Sequence, residues 1–95
     1  MRKPRFEFEK GAVYWLGGRT FIAGRIGRPF VTGLVIEADG LHSKRVPAGT
    51  ELPRAKYRGE DYPQRKMRGH LRKMKTQTQS AKAIRADLLE QRVES

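Results

Sequence analysis

The sequence predicts an α+β protein: a small antiparallel five-stranded, barrel-like sheet, SH3-like or OB-like in size, followed by a basic C-terminal helical extension. Three observations predict it. Six of the eight aromatic residues (Phe6, Phe8, Tyr14, Trp15, Phe21 and Phe30) fall in the first thirty positions, among glycine-containing turns and β-branched residues. Turn signals recur at roughly ten-residue spacing up to position 53, the rhythm of a meander. Beyond that point there is no Phe or Trp, the only Val is Val93, and apolar residues recur with helical spacing.

The first expected strand is residues 6–9, where Phe6 and Phe8 alternate with Glu7 and Glu9, which puts both rings on one face. Lys10-Gly11 breaks it. Residues 12–16 (AVYWL) form the second, and Gly17-Gly18 is a two-residue hairpin signal leading into the third, residues 19–26. Gly27-Arg28-Pro29 turns the chain into residues 30–37. Asp39-Gly40 turns it again into residues 41–46, before Pro47. Gly24 and Gly33 lack side chains inside strands, which predicts a bulge or bend at each. Strands 12–16 and 30–37 carry apolar residues on both faces, so something must cover the second face. The segment at 80–93, with Ala81, Ile84, Leu88 and Leu89 in one stripe, is the expected cover; self-association through the sheet is the alternative.

The organisation expected is therefore a β domain over residues 1–53, a basic loop over 54–62, and a helical extension over 63–95. That extension divides into a basic helix at 63–75 and an amphipathic helix at 80–93. Asp61 ahead of Pro63 suits a helix start. Met67, Leu71 and Met74 then lie on one face, with Arg65, Lys66, Arg68, Arg72, Lys73 and Lys75 over most of the rest. Gly69 costs such a helix about 1 kcal/mol relative to Ala. Residues 76–80 read equally as a hinge between two helices or as the polar middle of one.

Charge is the strongest functional signal. The 95-residue chain carries a net charge of +11, and residues 54–75 hold nine of its twenty-one Lys and Arg against only Glu60 and Asp61. Clustered cations that must stay solvated gain most from a polyanion. Six cations without one acid between Pro63 and Lys75 repel one another, an arrangement that a merely soluble surface dilutes with Glu. The expected function is non-enzymatic binding of nucleic acid, DNA or RNA, through backbone contacts. The expected contact residues are Arg54, Lys56, Arg58, Arg65, Lys66, Arg68, Arg72, Lys73 and Lys75, joined by Arg25 and Arg28. Lys44, Arg45 and an N-terminal arm of Arg2, Lys3 and Arg5 extend the footprint. Contact with about six phosphates gives a slope of log affinity on log salt near −5, close to a thousandfold between 50 and 200 mM.

Base reading has thinner support: Arg65, Arg68 and Arg72 are spaced i, i+3, i+7, but Gln64 is the only adenine reader nearby. Gly27-Arg28-Pro29 resembles the core of an AT-hook. Ile26 stands where the first Arg of that motif belongs, and the flanking residues read as strands, so a turn is the expected role. Tyr14, Trp15 and Phe21 are candidate stacking platforms, weighed against their need in a small core. The alternative function is an adaptor or inhibitor, a regulator that binds an acidic protein partner such as a transcription or replication component. Its interface would be the apolar sheet face of Val13, Trp15, Leu34 and Ile36, or the helix stripe of Ile84 and Leu88.

Several classes have nothing to stand on. The chain has no cysteine, hence no disulfide frame, thiol nucleophile or thiolate metal site. His42 and His70 share no metal-ligand spacing, and no nucleophile elbow or phosphate loop is present, so neither enzymatic activity, metal nor cofactor is expected. No apolar run approaches the roughly 20 residues of a membrane span, and the start lacks an apolar signal region. An intracellular, cytoplasmic protein with no membrane partner is the expectation.

Overall fold

A computed structural model describes residues 6–90. The arm of Arg2, Lys3 and Arg5 and the end of the expected second helix, 91–93, lie outside the described residues. Four strands, β1 (Val13–Leu16), β2 (Arg19–Arg25), β3 (Phe30–Glu37) and β4 (Gly40–Pro47), form one antiparallel sheet in sequence order. Then come a two-residue hairpin, β5 (Lys56–Tyr57) with β6 (Glu60–Asp61), and two helices, α1 (Gln64–Lys73) and α2 (Gln79–Glu90). Among the described residues, no helix is long and apolar enough to cross a membrane.

The expected five-stranded barrel is corrected to an open four-stranded sheet, because residues 6–9 do not pair as a strand. Their alternation still sorts the side chains as read: Phe8 is buried and Glu7 and Glu9 are exposed. The segment lies across the sheet as a cover, with Phe8 edge-on to Tyr14 at 5.0 Å and to Phe21 at 6.2 Å between ring centroids. Period-two patterning reports an extended chain with one buried face; it does not report which backbone it bonds.

Closure is replaced by edge protection. Residues 53–55 run along β1, where Trp15 N–H donates to the Pro53 carbonyl and Ala55 N–H to the Val13 carbonyl, both at 2.9 Å. At the opposite edge, Leu41 N–H donates to the Lys75 carbonyl (2.7 Å) and Gln77 N–H to the Leu41 carbonyl (3.0 Å). Exposed strand edges invite foreign pairing, and the segment leading out of the sheet and the link between the two helices each blunt one.

Both faces of the sheet are covered, as the doubly apolar strands require. One core joins Val13, Ile22, Leu34 and Leu41 to Met67 and Leu71 of α1 and to Ala81, Ile84 and Leu88 of α2. The other gathers Tyr14, Phe21, Val31, Val35 and Val46 beneath Phe8. The register of β2 against β3 shifts between Ala23 and Arg25, so Gly24 marks the bulge expected of it. A side chain there would collide with α2, since a Cβ would stand 2.5 Å from Ile84 Cγ2. Gly33 stays in register with Ala23 and Lys44 and so marks no bulge; the ring of Phe21 occupies the space its side chain would need.

The helices form an antiparallel pair joined by a true hinge. Thr78 caps α2, its Oγ1 accepting from Ala81 N–H at 3.0 Å and its carbonyl accepting from Lys82 N–H at 3.0 Å. The start of α1 lacks a side-chain cap, because Pro63, which has no side-chain acceptor, stands at the N-cap position, while Asp61 pairs with Lys56. Within the segment 54–62, expected as a loop, residues 56–61 form the β5–β6 hairpin. It turns at Arg58 and Gly59, whose φ angles of 54° and 83° match the twist of a two-residue hairpin.

Candidate nucleic-acid interface

The nine cations of residues 54–75 divide into those that build the fold and those that face solvent. Three are occupied. Arg54 Nη2 lies 2.7 Å from Glu9 Oε2, and its guanidinium stacks on the buried Tyr14 ring at 5.3 Å. Lys56 pairs with Asp61 across the hairpin, which holds the Asp61 carboxyl below its ordinary range. Arg68 donates to the carbonyls of Leu88 (3.4 Å) and Leu89 (3.0 Å) and so closes the C-terminal end of α2. Arg85 of α2 returns the arrangement, donating to the Met74 carbonyl at the end of α1 at 3.3 Å. Each helix thus has its negative end answered by an arginine of the other.

The other six, Arg58, Arg65, Lys66, Arg72, Lys73 and Lys75, are exposed, and none pairs with a carboxylate among the described residues. The burial of Met67 and Leu71 fixes which way α1 faces and turns Arg65, Lys66, Arg72 and Lys73 outward. Arg58 stands at the hairpin tip. Its guanidinium lies 5.4 Å from the Tyr57 ring centroid, and Lys66 Nζ lies over the same ring at 4.5 Å. The hairpin and the basic helix are therefore joined through one half-exposed tyrosine.

Tyr57 was not legible as a site residue, since nothing in YRGEDY distinguishes a ring beside two cations from a turn. Behind it, Tyr62 meets Tyr57 edge-on at 6.2 Å, and its Oη lies 2.8 Å from His70 Nε2. Burial, then the charges of Lys66 and Lys73, push His70 below its ordinary value of 6.5. Burial raises the Tyr62 phenol, with a smaller contribution from Tyr57. The His70 ring is thus held toward its neutral form, hydrogen-bonded to the Tyr62 hydroxyl.

Other expected contributors are scattered. Arg25, at the end of β2, lies in the field of the Asp87 carboxylate, which Lys10 binds at 2.9 Å. Arg28 lies in the β2–β3 turn, beside a groove lined by Phe6, Phe8, Ile26, Val31 and Ala48. No contact among the described residues joins either arginine to the α1 set. Strand alternation separates Lys44 from Arg45, which stacks on Phe30 at 5.0 Å. Tyr14 and Phe21 are fully enclosed and offer no stacking surface; Trp15 is 36 % exposed. The triad proposed for base reading is divided, because Arg68 points to α2 while Arg65 and Arg72 face outward. Of the apolar interface considered for a protein partner, Val13, Leu34, Ile84 and Leu88 are core residues and Ile36 packs against them, while Trp15 stays exposed.

One group of metal-type donors occurs among the described residues, Glu37, Asp39 and His42 at the β3–β4 hairpin, with ligand atoms within 4.8 Å of one another. His42 Nε2 is 2.8 Å from Asp39 Oδ1 and 3.3 Å from Glu37 Oε2, and Arg19 binds the other Glu37 oxygen. These mutual polar contacts account for the cluster as a clasp on the hairpin. Comparison of the chain with protein-family models, with curated proteins and with solved structures gives no match.

Proposed function

We propose that this is a non-enzymatic nucleic-acid-binding protein that grips the phosphate backbone with the outer face of α1 and the β5–β6 turn. One observation carries the reading: six exposed cations on adjoining elements pair with no carboxylate among the described residues, while the three other cations of the same segment are each engaged. Acids are available in this chain where the fold needs them, as Glu9 is for Arg54 and Asp61 for Lys56. The outer face of α1 is left unneutralised, and like charges at helical spacing destabilise it by a few tenths of a kcal/mol per pair. A polyanion removes that repulsion and gains the release of its own counterions.

The test is binding of labelled duplex DNA, single-stranded DNA and RNA from 50 to 300 mM salt, with the wild type beside R65E/R72E/K73E. Arg68 stays in place in that variant because it holds α2. Contact with about six phosphates gives a log–log salt slope near −5 for the preferred duplex. The variant should lose most of that slope while keeping its thermal transition. Weak binding alike for both proteins would overturn the reading and favour an acidic protein partner on the same face.

A further inference from the structure

The outer face of α1 is built around a residue without a side chain. On a helix, the surface neighbours of any position are those three and four residues away on either side. For Gly69 these are Arg65, Lys66, Arg72 and Lys73, so every one of its four neighbours is a cation, and all four are exposed. The glycine does not serve the fold. Its backbone is helical, and a Cβ at this position would meet nothing within 4 Å, unlike Gly24, where a Cβ strikes Ile84. Glycine also disfavours a helix relative to alanine. A glutamate here would stand three or four residues from all four cations and could pair with any of them, and the sequence forgoes that as well.

We propose that Gly69 and its four cations form a seat for one backbone phosphate of a nucleic-acid strand, which comes to rest against the bare helix at the centre of the ring. The inference rests on the nucleic-acid reading above and adds the point of closest approach. Glycine is the residue that lets another backbone come close. A phosphate centred on it meets two arginine forks and two lysine ammonium groups together. Arg65, Arg72 and Lys73 break no ion pair among the described residues when they turn to it, and Lys66 is held at one wall by the Tyr57 ring. Any side chain at position 69 lifts the phosphate away from all four cations.

The decisive variant is Gly69→Ala, assayed with a labelled 20-base-pair duplex between 50 and 200 mM salt. Its Tm should rise by about 5 °C, the gain from alanine in an exposed helix. Binding should weaken by about sevenfold, the effect of moving a charge from about 4 to 5.5 Å from four cations even at the dielectric constant of water. The salt slope should become shallower by about 0.9, one phosphate contact. Gly69→Glu should also be stabilised, and it should lose more affinity than Ala83→Glu, which makes the same change of net charge on an exposed position of α2. A Gly69→Ala protein with raised Tm, unchanged affinity and unchanged slope would overturn the seat and leave the nucleic-acid reading intact. A lowered Tm would also overturn it, because the glycine would then serve the fold. A wild type that binds the duplex without salt dependence would overturn both.

Discussion

His70 sits between two lysines on the helix proposed to meet a polyanion, and its neutrality ties the site to pH. Its folded value lies below 6.5, through burial first and then Lys66 and Lys73. Above 6.5 neither the folded nor the unfolded chain protonates it, and its contribution to stability is constant. As pH falls below 6.5 the unfolded chain takes up the proton first, so stability declines until the folded value is passed and then levels off. The thermal midpoint should therefore fall between pH 7 and pH 5 by more in the wild type than in His70→Gln, which keeps an acceptor for Tyr62. Identical profiles would mean that the ring is not held neutral. An NMR titration of the ring should show its pKa move upward when duplex neutralises the two lysines. At this scale the sequence reading reached the identity of the cations but not their employment. Arg65, Arg68 and Arg72 look alike at helical spacing, and only the position of α2 makes Arg68 a cap for the Leu88 and Leu89 carbonyls.

Elements were legible wherever a period had a single cause. The stripes of Met67 with Leu71 and of Ala81, Ile84 and Leu88 gave both ends of α1 and the start of α2 to within a few residues, because each stripe is a face that the helix buries. The strands from β1 to β4 followed from turn chemistry at Gly17-Gly18 and Asp39-Gly40. Residues 6–9 have the same alternation as a strand and a different employment, because Phe6 and Phe8 pack edge-on over the second core rather than pairing with a neighbouring strand. A prediction follows for this segment. Phe8→Ala removes a ring that contacts both Tyr14 and Phe21, and should cost about 3 kcal/mol in urea denaturation. Glu7→Ala, on the exposed side of the same stretch, should stay within about 0.5 kcal/mol of wild type. Equal and small effects would show that the segment is an appendage and not the cover of the sheet. The β5–β6 hairpin escaped the sequence reading because two residues per strand are too few for any period to register.

The whole molecule combines a fold stabilised by apolar burial on both faces of a sheet with a charge distribution that works against it. The acids that neutralise cations, Glu9, Glu37, Asp61 and Asp87, do so at exposed or partly exposed pairs, which solvent and salt screen and which add little net stability. The uncompensated charge is spread over α1 and the chain as a whole, at +11. Salt should therefore weaken repulsion more than attraction in the free protein. As the screening length drops from about 30 Å at 0.01 M to about 8 Å at 0.15 M, Tm should rise. The complex should respond in the opposite direction. With duplex present at about 100 times its dissociation constant in 50 mM salt, binding adds about 2.7 kcal/mol. With six phosphates contacted, affinity drops close to a thousandfold by 200 mM, and that increment disappears. Plotted against salt, the Tm of the free protein should climb, that of the mixture should descend, and the two should meet near 200 mM. A free-protein curve that falls with salt would mean that the surface ion pairs outweigh the repulsion on α1. Parallel curves with a constant offset would mean that the duplex binds through contacts other than phosphate, which the open cationic face of α1 would then not explain.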